Sequence, residues 1–205
     1  MAYGFVLVGG RSTRMGRDKT LLPFHGQPMA LYQAAKLARV CGRAALVGKH
    51  PELFAGSPYP FIEDGASPVA AAFGVAAALA ASPDDTNLVL AADIPRIPEA
   101  FLEALLDVAD AIPADAVVPV SGGSPQPLCA VWRRSAHAPL LARLAAGDYA
   151  LLGALQELRT VLIPEDVTSA LPGGAPASFL NVNTPEDYEK AETSNAGAAA
   201  EPSRP

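Results

Sequence analysis

The sequence predicts a three-layer α/β/α fold built on a mainly parallel sheet. Three observations carry that prediction. Short, unbroken apolar runs such as Phe5–Val8 and Leu88–Ala91 read as strands buried on both faces. Stretches with helical periodicity separate them, so neighbouring strands are joined by right-handed crossovers. Half of the 205 residues are hydrophobic and 18% are charged, enough apolar material for a sizeable core.

The elements follow in order. Phe5–Val8 is the first strand. Pro28 to Cys41 reads as a helix, and Arg43–Val47 as the next strand, ended by Gly48. Phe61 and Ile62 make a short strand. Val69–Ala81 is a helix of small residues, and Leu88–Ala91 is another buried strand. Pro98–Ala111 is a helix with proline in its first turn, where the missing N–H costs nothing. Ala116–Val120 and Leu128–Trp132 are strands flanking a Gly/Pro-rich loop, Ser121–Pro127. Helices over Ala136–Ala145 and Ala150–Leu158 precede the strand Val161–Ile163. Pro172–Gly174 marks a further loop, and Phe179–Asn183 reads as a last strand. Thr184-Pro185-Glu186-Asp187 then starts a helix, with Thr as N-cap, Pro at the first position and acids in the first turn. A single domain over residues 1–192 is expected, followed by a disordered small-residue tail at 193–205.

Composition excludes several classes. No apolar run reaches the roughly 18–20 residues of a membrane span, and no basic region precedes the first apolar stretch. Two cysteines, Cys41 and Cys129, make neither a disulfide framework nor a zinc site and read as core residues. His25, His50 and His137 are scattered without metal spacing. Trp132 reads as packing. The expectation is an intracellular, cytoplasmic protein with no membrane partner. With 15 basic against 21 acidic residues, net −6, the chain lacks the basic face that nucleic-acid binding requires.

One segment departs from that average. Arg11, Arg14, Arg17 and Lys19 crowd around Gly9, Gly10 and Gly16, directly after the first strand. In open parallel sheets ligands bind at the carboxyl ends of strands. Glycines let the backbone approach a phosphate and aim N–H groups at it, and Arg14 and Lys19 would neutralise its charge. The string is neither a Walker A loop nor G-x-G-x-x-G. No Gly-x-Ser-x-Gly elbow of a serine hydrolase occurs.

Leu7 through Leu22 resembles the signature of the molybdenum cofactor guanylyltransferase family, Rossmann-like nucleotidyltransferases, with Val8 where the family usually has Ala. Gly26-Gln27-Pro28-Met29 continues the resemblance, which covers about residues 3–192 with its motifs in order. It implies nucleotide contacts from Leu7, Val8, Gly9, Gly10, Arg14, Lys19, Asp64 and Asp93. Asp64, after Ile62-Glu63, is the implied guanine-binding carboxylate; a carboxylate suits the adjacent N1–H and 2-amino donors. Ser67-Pro68-Val69-Ala70-Ala71 is similar to the family's Gly-Pro-Leu-Ala-Gly with both glycines replaced, and Val47-Gly48-Lys49 stands where the family carries an Asn. Asp93, in Ala92-Asp93-Ile94-Pro95, is the implied Mg²⁺ ligand, at a strand's carboxyl end. Asn181-Val182-Asn183-Thr184-Pro185-Glu186-Asp187 also matches; Asn181 and Asn183, alternating along the expected strand, would share one face for pterin or metal contacts. Gln126, before Pro127-Leu128, is implied near the acceptor.

The resemblance implies transfer of GMP from GTP to molybdopterin (the molybdenum cofactor), releasing pyrophosphate, with Arg14, Lys19 and Asp93 as catalytic residues. Transient contact with other cofactor-biosynthesis or molybdoenzyme-maturation proteins goes with it. Two other readings stand beside this one: a cytidylyl- or other nucleotidyltransferase on the same scaffold, and a catalytically idle nucleotide- or cofactor-binding protein.

Overall fold

The computed structural model describes residues 1–9, 19–65 and 69–193. Ten strands and seven helices are named here in chain order: β1 Ala2–Val8, β2 Pro23–Phe24, β3 Gln27–Pro28, α1 Met29–Cys41, β4 Ala44–Gly48, β5 Phe61–Glu63, α2 Ala71–Ala81, β6 Thr86–Ala91, α3 Glu99–Ala111, β7 Ala116–Ser121, β8 Ser124–Pro125, β9 Cys129–Arg133, α4 His137–Ala145, α5 Leu151–Glu157, β10 Thr160–Ile163, α6 Glu165–Ala170 and α7 Pro185–Thr193.

The main sheet runs β10-β7-β9-β6-β1-β4-β5, with β8 folded against β7. β1 pairs in parallel with both β4 and β6, β4 with β5, and β7 with β10. β9 runs antiparallel between β6 and β7, so the sheet is mainly parallel as expected. The chain moves outward from β1 through β4 and β5, then returns to place β6 on β1's other side. That reversal leaves a crevice at the carboxyl ends of β1 and β6.

Alternation along the strands divides the core into two layers. Val6, Leu46, Leu88, Leu90 and Val131 pack on one face with Ala34 and Leu37 of α1 and Phe101, Leu102 and Leu105 of α3. Phe5, Val47, Val89, Ala130 and Trp132 pack on the other with α2, α4 and α5. Trp132 is fully buried, and its indole N–H donates to Pro127 O at 3.0 Å, a packing role. Alanine-rich α2 suits this arrangement, because small side chains let it lie close to the sheet. A third, small cluster joins Phe24 and Met29 to Val182 and Ala191.

Most elements begin or end within a few residues of the sequence expectation. Pro98 is the N-cap of α3 rather than a first-turn residue. The β2–β3 hairpin and α6 were not expected; β2 and β3 are two residues each, too short for any periodicity to show. The expected strand Phe179–Asn183 does not form. Pro176 opens a 3-10 turn that runs to Phe179, and the chain then bonds to the loop after β6 rather than to a strand: Val182 N–H donates to Asp93 O at 2.7 Å. The helix start at Thr184 forms as read. Asp187 N–H donates to Thr184 Oγ1 at 3.1 Å, and Asp187 Oδ2 accepts from the N–H groups of Thr184 and Asn183, a capping box. No helix among the described residues is long and apolar enough to cross a membrane.

Candidate functional site

A cavity of about 610 Å³ opens along the carboxyl ends of β1, β4, β5 and β6. Its lining includes Leu7, Val8, Gly9, Lys19, Asp64 and Asp93, six of the residues read from sequence. Gly10 and Arg14 lie outside the described residues, as do Ser67 and Pro68.

Lys19 follows the end of β1 and opens a short 3-10 turn to Leu21. Its Nζ donates to Asp93 Oδ2 at 2.5 Å and to Asn183 Oδ1 at 2.8 Å. Three distant segments thus meet at one ammonium. Asp93 stands just past β6, where Ala92 N–H donates back to Leu7 O at 3.1 Å and ties that loop to β1. Asn183 arrives because Val182 is anchored to Asp93 O and buried at 1% exposure, while the capping box sets the chain's direction into α7. Asn181 and Asn183 both remain exposed around buried Val182, and of the two it is Asn183 that bonds to Lys19; neither belongs to the cavity's lining. The two amides lie on the exposed side of the segment as the alternation implies, although no strand forms there.

Gln126 stands apart from this cavity. Its Nε2 donates to the carbonyls of Ser121 and Ser124, both at 3.1 Å, so the side chain braces its own hairpin and does not line the cavity. The neighbouring glycines are tied down by Glu165, which accepts from the N–H groups of Gly122 and Gly123.

Asp64 lies at the cavity's other end. The register that sets Gly48 opposite Glu63 places Lys49 beside Asp64. Asp64 N–H donates to Gly48 O at 2.9 Å, and Lys49 Nζ stands 3.2 Å from Asp64 Oδ1. The pair is aligned as an ion pair only: Oδ1 is buried and accepts no hydrogen bond among the described residues. Gly48 is needed for the close approach of β4 to β1: a Cβ there would lie 1.9 Å from Val8 O.

Sequence reasoning missed the polar pair beneath Asp93. Gln33 and Lys36 sit on the buried face of α1, at 0% and 3% exposure. Gln33 Nε2 donates to Ala91 O and Ile94 O. Lys36 Nζ donates to Gln33 Oε1 at 2.8 Å, Pro95 O at 2.9 Å and Ile97 O at 2.5 Å. The backbone on both sides of Asp93 is therefore held by one helix. Burial pushes the Lys36 ammonium down to about 7. A cation within the apolar stripe of a helix was the visible signal.

The electrostatic pattern suits a phosphorylated ligand. Lys19 and Lys49 supply positive charge, and Asp93 and Asp64 supply one carboxylate at each end. Among the described residues no group of three His, Cys, Asp or Glu could hold a metal alone. The single carboxylate of Asp93 fits a hard cation that takes its remaining ligands from phosphate and water. Burial pushes both thiols, Cys41 and Cys129, up to about 12, which fits core residues rather than nucleophiles.

Comparison with known proteins adds an independent line. Residues 4–161 match the family model described as "MobA-like NTP transferase domain". The chain is 35% identical over 195 residues to a Chloroflexus aggregans protein named "Probable molybdenum cofactor guanylyltransferase", covering 92% of each. It is 34% identical to the "Molybdenum cofactor guanylyltransferase" of Rhodobacter capsulatus, covering 92% of this chain and 94% of that protein. Among solved structures, "Molybdopterin-guanine dinucleotide biosynthesis protein A" of Archaeoglobus fulgidus superposes with a TM-score of 0.82 at 27% identity, covering 95% of this chain and 99% of that one.

Proposed function

Because this chain belongs to the MobA-like NTP transferase family, we propose that it transfers GMP from GTP to the terminal phosphate of molybdopterin (as the molybdenum cofactor) and releases pyrophosphate. The observation that carries the reading is Lys19, which lines one cavity with Gly9 and Asp93 and whose ammonium bonds both Asp93 and Asn183. Guanylyltransferase relatives at up to 35% identity support the choice of substrates.

The acceptor phosphate is already ionised and is itself the nucleophile, so no side-chain nucleophile or general base is required. Catalysis rests on in-line positioning and charge neutralisation. Lys19 is a compact charge with three rotatable donors. On nucleotide binding it exchanges Asp93 for a phosphate oxygen and keeps Asn183, freeing the carboxylate. Asp93 would then help to hold a divalent cation, in this reading Mg²⁺, which would supply charge neutralisation to the bound phosphates. Arg14 and the N–H groups around Gly9 and Gly10 complete the pyrophosphate subsite in this reading. Asp64 accepts from guanine N1–H and the 2-amino group. In this reading the acceptor is seated beyond the cavity's lining, with Gln126 on the hairpin side, Asn183 on the α7 side and Asn181 flanking it. A cytoplasmic setting fits Cys41 and Cys129, both unpaired thiols. Proteins of cofactor biosynthesis or molybdoenzyme maturation are the transient partners that would receive the product.

The test is pyrophosphate release with GTP, Mg²⁺ and purified molybdopterin. Turnover with GTP and not CTP is expected. Folded Lys19→Ala should lose about 10²–10³ in turnover, the scale of one lost transition-state donor. Turnover with CTP alone overturns the guanylyl reading; near-wild-type turnover of the variant removes Lys19 from the mechanism.

A further inference from the structure

We propose that Lys49 is a specificity residue that reads the base together with Asp64, by donating to the purine's O6 oxygen. The inference rests on the guanylyl reading and extends it to a residue outside the family pattern. Parallel pairing of β4 and β5 sets the two side chains side by side at the carboxyl edge, 3.2 Å apart, where both line the cavity. Asp64 Oδ1 is buried and accepts no hydrogen bond among the described residues, while the ammonium lies close without donating to it. The pair therefore places a buried, unmet acceptor beside a donor in the cavity's wall.

Four bases can be set against that pattern by their hydrogen-bonding edges. Guanine offers an acceptor, O6, followed by two adjacent donors, N1–H and the 2-amino group. Its donors meet both carboxylate oxygens while O6 meets the ammonium. Adenine has one amino donor beside a ring acceptor, which leaves a carboxylate oxygen unmet. Cytosine turns two acceptors and one donor toward the pair. Uracil has one donor between two acceptors, so a carboxylate oxygen faces a lone pair. Guanine alone satisfies all three charged atoms together, and a buried polar group left unpaired is what makes such sites selective.

Lys49 is partly exposed at the cavity rim, so its replacement leaves the core intact. The experiment is calorimetric titration of wild type, Lys49→Met and Lys49→Gln with GTP, ITP and CTP in magnesium buffer, without acceptor. ITP keeps O6 and N1–H and lacks the 2-amino group. Lys49→Met should weaken GTP and ITP by a similar factor, about 10–100-fold for a lost charge-assisted hydrogen bond. CTP binding should stay within about twofold. Lys49→Gln, which keeps an uncharged donor, should recover part of the GTP preference. Equal GTP binding by wild type and Lys49→Met overturns the proposal, and so does equal weakening of all three nucleotides. Wild type that prefers CTP instead overturns the guanylyl reading itself, a result seen before any variant is compared.

Discussion

Replacing Lys36 by methionine separates the energetic burden of a buried ammonium from its use. Burial is the dominant cause of the fall from 10.5 to about 7; Cys129 and Glu99 oppose it and Arg39 adds to it. The Tyr32 ring, 4.8 Å from Nζ, also faces the group. Below pH 7 the ammonium is charged in both the folded and the unfolded chain, and its burial then lowers stability in full. Between about 7 and 10.5 the unfolded chain holds a proton that the folded one has shed, so stability rises with pH. The slope is at most ~1.4 kcal/mol per pH unit, which gives ~2–3 kcal/mol between pH 7 and pH 9. Gln33 Oε1, Pro95 O and Ile97 O favour the ammonium, so this is an upper figure.

Urea denaturation of wild type and Lys36→Met across that range is the assay. Wild type should gain on the variant as pH rises, and a constant difference would refute the argument. The variant should also bind divalent cations about 10–100-fold more weakly, as for a lost supporting bond behind a metal ligand, because the backbone at Pro95 and Ile97 is released. Unchanged metal affinity would separate Lys36 from Asp93.

Three further predictions concern the scaffold. Asp115, itself buried, accepts from Ser135 Oγ at 2.5 Å and from the backbone and guanidinium of Arg159; Arg159 first, then Ser135, holds its carboxyl down at about 2. That stabilisation is complete above the usual aspartate range and is lost as pH falls through about 2. With the Arg159 side chain 71% exposed and screened by water, Asp115→Ala should lose about 1–2 kcal/mol near neutral pH in urea titrations. Gly48→Ala drives a methyl group into Val8 O, which cannot retreat without parting β1 from β4; about 1–3 kcal/mol in chemical denaturation, with weaker GTP binding, is expected. Thiol titration of the native protein should find Cys129 and Cys41 slow to react near pH 8 and rapid only after unfolding.

Legibility followed the range of the interactions. β1, β4, β6 and α3 could be read because each carries its own signal, a buried apolar run or an amphipathic period. The direction of β9 could not be read. Its apolar run is compatible with either sense, and its place between β6 and β7 is decided by the Gly/Pro hairpin and by Trp132 filling the layer below. Lys19, Asp64 and Asp93 were legible as motif residues at strand ends. Lys36 was less so, because its meaning lies in the carbonyls of residues 95 and 97, about sixty positions away.

The segment before α7 shows the difference most clearly. Alternation there reflects burial: Val182 is inside, and Asn181 and Asn183 are outside. Period two does not reveal whether a ladder partner exists, and here the neighbour is the loop of Asp93, which offers one carbonyl to Val182. Local chemistry settles the start of α7, because Thr184 and Asp187 satisfy its first N–H groups wherever the segment lies. The two constraints act on opposite sides of Asn183. One binds the chain to the backbone of Asp93 and the other aims it into a helix, and the amide between them is left at Lys19. A paired strand would have spent these backbone groups on a sheet partner. The unpaired crossing instead couples Asn183 directly to the residue whose carboxylate Lys19 also holds.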